Sequence, residues 1–256
     1  MGISGSPSGE VEAMRAAASP TFSPLYQQIK GLITKSLESG EWKPGELIPS
    51  EVDLAARYGV SQGTVRKAID EMAQENLVVR RQGKGTFVAT HQEAKAQFRF
   101  LRLIPDDGNS VAAENKLLEC RRARASADVA RMLQLKAGES MILIRRLLSF
   151  KSVPTILDEI WLPANLFKGL TAERLIEYKG PMYALFEAEF GTRLVRAEEK
   201  VRAVLADANS AQWLGVVTGT PLLSVERVSM TYQDRPAEVR RGLYLTEHFY
   251  YHNELS

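Results

Sequence analysis

Apolar residues recur at helical spacing near the start of the chain, and this spacing predicts a helix over residues 24–39. A period of about 3.6 residues places apolar side chains on one helix face, which can then pack on a core. Gly40 ends the helix, and Lys43-Pro44-Gly45 is typical of a turn. The apolar positions are Leu25, Ile29, Leu32, Ile33 and Leu37.

Two further helices are predicted, each with a polar residue suited to cap its first turn. Ser50 is a good N-cap, and Asp53 supplies the acid of a capping box in a shorter form. Gly59-Val60 makes a tight turn, and Ser61 caps a third helix that runs to about Asn76. The inner face of the third helix carries Val65, Ile69 and Met72.

Two β-prone runs after the third helix predict a hairpin. Residues 78–81 and 86–89 flank the Gly-rich, cationic tip Gln82-Gly83-Lys84-Gly85. Two short helices joined by a Gly turn and followed by such a hairpin predict a winged helix-turn-helix. In that motif the second helix enters the major groove of DNA. The wing is then expected to lie along the duplex backbone or in the minor groove.

The exposed face of the predicted recognition helix carries side chains suited to DNA. Arg66 suits a bidentate pair with guanine and Gln62 one with adenine, whereas Thr64 and Lys67 suit phosphates. Core packing alone would explain the helices, and a surface turn would explain the Gly-Lys-Gly tip, but their order, spacing and shared polarity favour DNA binding. The predicted DNA contacts are Ser50, Ser61, Gln62, Thr64, Arg66, Lys67, Arg81, Lys84 and Gly85.

Residues 24–89 resemble the DNA-binding domain of the GntR family of bacterial transcription regulators. The motifs that carry the resemblance are Pro24-Leu25-Tyr26, Pro49-Ser50-Glu51, Leu54-Ala55, Gly59-Val60-Ser61, Thr64-Val65-Arg66 and Gly83-Lys84-Gly85-Thr86-Phe87-Val88. The family commonly has arginine at the position of Val52, and often at that of Gln62, and both arginines are frequent DNA contacts in relatives. A third arginine of the family pattern, Arg66, is kept. With the other two absent, the operator sequence or the affinity is expected to differ from the family norm.

The second part of the chain contains a weak internal repeat. Ala130, Leu133, Leu135, Gly138, Ile142, Ile144 and Arg146 recur at a constant offset as Ala211, Leu214, Val216, Gly219, Leu223, Val225 and Arg227. Each unit is predicted to form a short helix, a Gly turn, a strand that ends in arginine, a hairpin and a second strand. Two such units can pair in one antiparallel sheet with a pocket between them. A period that occurs twice indicates duplication, since a solenoid needs about three repeats.

Residues 98–254 resemble the UTRA ligand-sensing domain, the effector module of the HutC branch of GntR regulators. The matching residues are Arg146-Leu147, Pro154, Asp158-Glu159, Leu162-Pro163, Pro181-Met182-Tyr183, Phe190-Gly191-Thr192-Arg193, Ala197-Glu198-Glu199, Leu214-Gly215-Val216, Gly219-Thr220-Pro221-Leu222-Leu223, Arg227 and Arg241. The resemblance implies an α/β domain with an antiparallel sheet, similar to chorismate lyase, that binds a ligand without catalysis. The whole chain is therefore predicted to be α+β.

By this resemblance, the side chains at positions that contact effectors in relatives are Arg146, Glu159, Tyr183, Arg193, Glu238 and Tyr244. Many phosphosugar-binding relatives carry a second arginine where this chain has Leu148. Two guanidiniums suit a dianionic phosphate better than one, so an effector with one carboxylate is expected, although Arg99 on the predicted first strand could replace the missing cation. Two alternatives stay open: Arg227 and Glu238 as a sheet-surface ion pair, and Tyr183 as a core aromatic with its hydroxyl in water.

Length and composition fit a two-domain regulator. The 256 residues carry a formal net charge of +2, one cysteine (Cys120) and three histidines. A lone cysteine suits a reducing cytosol and excludes zinc sites built on paired cysteines. No apolar stretch is long enough for a membrane helix. The expected division is a disordered N-terminus over 1–20, the winged helix-turn-helix over 21–89, a linker over 90–97 and the effector-binding, dimerising domain over 98–256.

These observations predict a cytoplasmic, homodimeric repressor that a small-molecule effector releases from double-stranded operator DNA. No catalytic residue, metal site or cofactor is expected, and no membrane partner. Two alternatives remain: an activator of the same family, since the sign of regulation depends on where the operator lies, and a lyase-like enzyme, suggested only by the fold. No nucleophile–base pair is evident in the sequence, and fold alone does not imply function.

Overall fold

The computed structural model describes residues 23–91, 102–108 and 112–253. The N-terminus predicted to be disordered (1–20), residues 92–97 of the predicted linker, and Arg99 lie outside the described residues. Within them, the chain forms a small helical unit with a hairpin and a larger unit built on an antiparallel sheet. The predicted α+β class is confirmed.

Three helices and a hairpin form the first unit, as predicted. Their bounds are α1 Leu25–Glu38, α2 Glu51–Tyr58, α3 Gln62–Gln74, β1 Val78–Arg81 and β2 Gly85–Val88. The two strands pair antiparallel, with Val79 opposite Phe87. Each helix turns an apolar face inward, and the fully buried side chains include Ile33, Leu54, Ile69 and Met72. This core holds α3 against α1 and leaves the outer face of α3 in solvent.

Polar caps fix where α2 and α3 begin. The hydroxyl of Ser50 accepts a hydrogen bond from the Asp53 backbone N–H at 3.2 Å, and the Ser50 N–H donates to the Asp53 carboxylate at 3.3 Å. This is the predicted capping box. Ser61 accepts from the backbone N–H of Thr64 at 3.2 Å. Gly59 ends α2 with φ of 65°, the left-handed conformation that favours glycine.

The second unit consists of a six-stranded antiparallel sheet, a separate two-stranded sheet and short helices. In chain order the elements are β3 Leu103–Pro105, β4 Glu114–Arg124, α4 Ala127–Met132, β5 Ser140–Phe150, β6 Val153–Pro163, α5 Ala172–Glu177, α6 Met182–Phe190, β7 Arg196–Leu205, α7 Ala208–Leu214, β8 Pro221–Met230, β9 Pro236–Tyr244 and β10 Phe249–Tyr251. The strand order is β4-β5-β6-β9-β8-β7, and β3 pairs with β10. No helix in the described parts of the chain is long and apolar enough to cross a membrane.

The internal repeat corresponds to two structurally equivalent halves. The segments α4-β5-β6 and α7-β8-β9 match, and the pairing of β6 with β9 joins them in one sheet. The prediction that each first strand ends at its arginine was wrong. Arg146 and Arg227 lie inside β5 and β8, because mostly buried residues that pair with the neighbouring strands continue each strand to Phe150 and Met230.

Different helices cover the two faces of the large sheet. On one face, here called the α6 face, Ile144 packs in a cluster with Phe186 of α6. On the opposite, α7 face, Leu147 packs in a cluster with Leu214 of α7. Successive residues of a strand point to opposite faces. Neighbouring residues of β5 therefore lie on different faces of the sheet.

The two units are in direct contact. Val195 and Tyr232 of the second unit are buried in the same hydrophobic cluster as the core of the first. Gln233 donates a hydrogen bond of 2.6 Å to Glu38 at the end of α1. Packed side chains and a hydrogen bond therefore join the two units directly.

Candidate functional site

The outer face of α3 presents the side chains predicted to read DNA bases. Gln62 and Arg66 are exposed, and the Arg66 side chain keeps 57% of its accessible surface. Thr64 is partly buried, with its hydroxyl 2.9 Å from that of Ser61. The caps Ser50 and Ser61 lie at helix N-termini, where free backbone N–H groups suit phosphate.

A carboxylate that the sequence analysis missed lies at the centre of this surface. Glu51 Oε2 accepts hydrogen bonds from Arg66 Nε at 2.9 Å and from Gln62 at 3.4 Å, and Oε1 accepts one from Arg80 at 3.0 Å. Arg80 also pairs with Asp70 at 2.9 Å. The motif Pro-Ser-Glu predicts that Glu51 is an acidic residue in the first turn of a helix. No local sequence pattern predicts that its hydrogen-bond partners lie on α3 and β1.

The other cations predicted to contact DNA either lie over aromatic rings or stand at the tip of the hairpin. Lys67 Nζ lies 4.0 Å from the centroid of the Tyr26 ring, and the Arg81 guanidinium lies 4.5 Å from that of Phe87. Both are cation–π contacts, which orient a cation without neutralising it. Lys84 is exposed at the hairpin tip. Gly85 has φ of 106°, and a Cβ there would come within 2.7 Å of Leu47, so no other residue fits without strain.

A cavity of about 300 Å³ opens on the α6 face of the large sheet. Its lining combines apolar and charged side chains, as small-molecule sites usually do. The wall residues that matter for recognition are Arg146, Leu148, Asp158, Tyr183, Arg240 and Tyr244. His91, from the segment that connects the two units, lines the same cavity.

The charged side chains that line the cavity are Lys179 and two arginines that share one carboxylate. Arg146 donates to Asp158 Oδ2 from Nε at 3.0 Å and from Nη2 at 2.9 Å, and Arg240 Nη1 lies 3.5 Å from the same oxygen. Burial lowers the pKa of Arg146, and Arg240 adds to this while Asp158 opposes it. Arginine nevertheless stays charged in proteins. With Lys179, the described lining holds three cations and one carboxylate. Neither Arg240 nor Asp158 was predicted from the sequence to be part of it.

A second buried network fixes the tyrosine of the cavity. The Tyr183 hydroxyl donates to Glu238 Oε1 at 2.6 Å, and Arg240 donates to Glu238 Oε2 at 3.0 Å. Burial raises the pKa of Tyr183, so its hydroxyl stays protonated and remains a donor. The Arg240 guanidinium also lies 5.1 Å from the Tyr183 ring centroid. Glu238 thus orients both Tyr183 and Arg240 through hydrogen bonds.

The structure brings together only part of the predicted effector set. Arg146, Tyr183 and Tyr244 line the cavity, and Glu238 supports it, but Glu159 and Arg193 do not face it. Glu159 follows Asp158 by one position and so points to the α7 face, where Arg145 donates to it at 2.9 Å. Arg193 is buried between the two units.

A larger cavity of about 660 Å³ lies on the α7 face, and its floor is a ladder of alternating charges. The ladder crosses the sheet in one register through Glu119, Arg145, Glu159, Arg241, Glu226 and Lys200. Arg145 lies 2.9 Å from Glu159, and Arg241 lies 3.1 Å from Glu226. These side chains pair across this cavity, as Arg146 and Arg240 pair with Asp158 and Glu238 at the cavity on the α6 face.

A ring contact, hydrogen bonds and an ion pair together connect the cavity on the α6 face to the DNA-binding unit. The His91 ring packs edge-on against Tyr183, with centroids 5.6 Å apart, and its backbone N–H lies 3.3 Å from both oxygens of Glu187. Glu187 also accepts from Thr90 and pairs with Arg193 at 3.4 Å.

Arg193 completes this connection by donating to two backbone carbonyls that follow α3. Its Nη2 donates to the Asn76 carbonyl at 2.7 Å, and its Nη1 donates to the Leu77 carbonyl at 3.2 Å. Burial raises the pKa of Glu187, and its bond to Thr90 and its pair with Arg193 work against that rise. We call Thr90, His91, Glu187 and Arg193 the junction cluster.

Both units match known protein families. Residues 25–88 match the gntR family of bacterial regulatory proteins, and residues 109–250 match the UTRA domain. The chain belongs to the GntR family. Its second unit is a UTRA domain, the module that binds small-molecule effectors in this family. The chain is accordingly a DNA-binding transcription regulator and not an enzyme. Among the described residues, no group of three or more His, Cys, Asp or Glu side chains is arranged to hold a metal ion.

Similar proteins cover most of the chain. The transcriptional regulator PhnF of Escherichia coli strain K12 is 31% identical over 220 residues, which span 84% of this chain and 89% of PhnF. The mannosyl-D-glycerate transport/metabolism system repressor MngR of the same strain is 26% identical over 232 residues, spanning 88% of this chain and 93% of MngR. The crystallised ligand-binding domain of a Bordetella bronchiseptica protein assigned to the GntR family is 55% identical, with a TM-score of 0.61, and covers 62% of this chain and 98% of that domain.

Proposed function

We propose that this GntR regulator is a repressor that leaves its operator when a small carboxylate binds in the cavity on the α6 face. The observation that carries the proposal is that one cavity is lined both by two buried arginines and by His91 of the connecting segment. An effector in this cavity would contact both the arginines and His91, which belongs to the segment that leads to the DNA-binding unit. The name of MngR, a repressor of a system for a compound with a carboxylate, agrees with this proposal.

The balance of charge in the wall favours a carboxylate over a sugar phosphate. Leu148 replaces the second arginine of phosphosugar-binding relatives, and Arg240 supplies a second guanidinium from another strand. Asp158, however, accepts hydrogen bonds from Arg146 and lies close to Arg240 as well. Because both guanidiniums already pair with carboxylates, they suit a dianionic phosphate less well than two unpaired guanidiniums would, and Lys179 is the one further cation of the described lining. Leu148 and Tyr244 add apolar surface, which suits an organic acid with an apolar or aromatic body.

On the DNA side, we propose that α3 lies in the major groove and that the β1–β2 wing follows the backbone. Arg66 and Gln62 are the base-reading candidates because they are exposed on the outer face of α3. The remaining predicted contacts suit phosphates and fix the register of the protein on the duplex. The proposed regulator is a cytoplasmic homodimer on a pseudo-palindromic operator, since two-fold operators mirror two-fold proteins.

Release of the operator requires that the effector binds the DNA-free arrangement more tightly than the DNA-bound one. The junction cluster is the proposed link, because it contacts Tyr183 of the cavity at one end and the carbonyls of Asn76 and Leu77 at the other. A shift of His91 on effector binding would change how Glu187 holds Arg193. The position of α3 relative to the second unit would then change.

The test is a thermal-shift screen of the full chain against small carboxylates, aromatic acids and sugar phosphates. A ligand that binds only the native state stabilises it by about 2.7 kcal/mol at a hundredfold excess over Kd. We expect a carboxylate to raise the Tm. Arg146→Gln should abolish that rise and Arg145→Gln should keep it, because these neighbours lie on opposite faces of the sheet. Stabilisation by sugar phosphates alone would contradict the carboxylate assignment.

A further inference from the structure

The two edges of the six-stranded sheet are protected differently. β4 forms one edge and β7 the other. The pairing of β4 with β5 shifts register between Leu117 and Glu119, α5 packs against β4, and the exposed residues of β4 are all polar. Register shifts, covering helices and charges keep an edge from pairing with further strands, because an edge presents unpaired backbone N–H and C=O groups.

The edge formed by β7 is open by comparison. β7 pairs with β8 without interruption from Arg196 to Leu205, and in the described parts of the chain β8 is the element that it mainly packs against. Ala203 is exposed, and so are Val201 and Leu205, which are 46% and 71% exposed. Alternate residues of a strand share a face, so these three form an apolar row on the α6 face. An exposed apolar row along an unprotected edge suits pairing with a further strand.

This row is complementary to itself. A two-fold axis perpendicular to the sheet pairs β7 antiparallel with β7 of a second copy, and the residue on the axis then lies opposite itself. With Ala203 on the axis, Val201 of each copy lies opposite Leu205 of the other. On the other face of the sheet, Arg202 lies opposite Val204. No two like charges of β7 are opposed in this register.

Neighbouring registers place like charges opposite each other. An axis at Glu199, Lys200 or Arg202 sets that charged side chain against its own copy. An axis at Val201 sets Lys200 of each copy against Arg202 of the other. Like charges directly opposite each other destabilise a strand pair, and axes nearer either end of β7 pair fewer residues. Ala203 is therefore the centre that gives the longest pairing without charge repulsion.

We propose that two copies of this chain dimerise through β7, with the two-fold axis at Ala203, so that their sheets become one continuous sheet. The inference rests on the homodimer of the proposed function and assigns its interface. On β8, Val225 and Leu223 lie beside Val201 and Ala203 and belong to an apolar cluster on the α6 face. The apolar row of β7 extends this layer to the corresponding layer of the second copy.

The test is sedimentation velocity of the full chain at several concentrations. Leu205→Glu should raise the dissociation constant of the dimer about a hundredfold, because each of the two copies then buries an unpaired carboxylate that costs about tenfold. Adding Val201→Lys should restore the dimer, since opposite charges then face each other twice. Within one copy these two positions are about 13 Å apart along the strand, so rescue reports pairing between copies.

Ile176→Glu is the matched control. Ile176 is 58% exposed on α5, at the opposite side of the sheet, and this variant should remain dimeric. Circular dichroism checks that each variant folds, which is expected because both substituted side chains are exposed.

The outcomes separate this interface from the proposed homodimer. An unmodified chain that stays monomeric at all concentrations overturns both. A dimer that Leu205→Glu leaves intact, or that Ile176→Glu weakens equally, overturns the β7 interface and leaves the homodimer in place. A double variant that dimerises no better than Leu205→Glu also overturns it, because the register centred on Ala203 places the two substituted positions opposite each other.

Discussion

Glu51 lies among groups proposed to contact DNA, where a carboxylate repels phosphates. Its hydrogen bonds supply a physical reason for its presence. Its bond to Arg66 Nε does not use the terminal nitrogens of the guanidinium, on a side chain that keeps 57% of its accessible surface. Glu51 also binds Arg80. In the proposed mode of DNA binding, Glu51 would therefore lower general affinity for DNA while orienting Arg66.

Glu51→Gln should therefore increase affinity for random DNA and reduce discrimination. With Arg80 released toward phosphate, the slope of log K against log salt should steepen by about one. With Arg66 no longer held, the ratio of specific to non-specific affinity should fall about tenfold or more, the scale of one bidentate base contact. Fluorescence anisotropy on an operator selected from random DNA, at several salt concentrations, measures both quantities.

Asp70→Asn is the matched control for this substitution. It removes the same charge and the other partner of Arg80, but it leaves the pair between Arg66 and Glu51 intact. We expect a similar gain in non-specific binding with the specificity ratio preserved. An equal loss of specificity in both variants would mean that charge alone, and not the orientation of Arg66, explains the effect of Glu51.

Single residues also define what the sequence could predict of the site. Ser50, Asp53 and Ser61 were identified as caps because capping depends on residues three positions apart. Arg240 and Asp158 were missed as the core of the cavity wall, since their pairing joins strands that are distant in sequence. Arg193 was predicted to bind the effector, but its guanidinium bonds the Asn76 carbonyl of the other unit. No local pattern contains that partner.

At the scale of elements, hydrophobic periodicity was sufficient for the helices and the hairpin of the first unit. The strands were harder to place, because buried strands have apolar residues on both faces. β5 is of this kind, with Ile142, Leu143 and Ile144 all buried, and so the face of each neighbour became clear only from pairing. The separation of Arg145 from Arg146, and of Glu159 from Asp158, follows from that register.

The junction cluster connects elements of the two units, and Glu187→Gln is expected to uncouple effector binding from operator release. The amide keeps the size of the carboxylate and can still accept from Thr90 or His91, but it no longer forms an ion pair with Arg193. We expect effector and operator each to bind nearly as before, while the effector loses most of its ability to release the operator. Competition of the effector against a labelled operator measures this coupling.

Glu189→Gln provides the comparison on the same helix. Glu189 of α6 is exposed and pairs with Arg174, away from the connecting segment. This variant should keep full coupling. If both variants release the operator as well as the unmodified chain does, Glu187 is not part of the link between the cavity and the DNA-binding unit.

At the scale of the whole molecule, effector and operator must affect each other equally. If the effector weakens operator binding by some factor, the operator weakens effector binding by the same factor, because both describe one thermodynamic cycle. Such factors are typically about 5 to 150. Val195 and Tyr232 pack in the same cluster as the core of the first unit, which gives the two sites a direct physical connection.

We therefore expect the effector Kd to rise on addition of saturating operator by the same factor by which saturating effector raises the operator Kd. Calorimetric titration of the effector, with and without operator, gives the first factor, and fluorescence anisotropy gives the second. In Glu187→Gln both factors should fall together toward one. Two factors that differ in the unmodified chain would show that a further equilibrium, such as subunit dissociation of the proposed homodimer, accompanies release. Repeating both titrations at several protein concentrations identifies that equilibrium, because only a change of assembly depends on concentration.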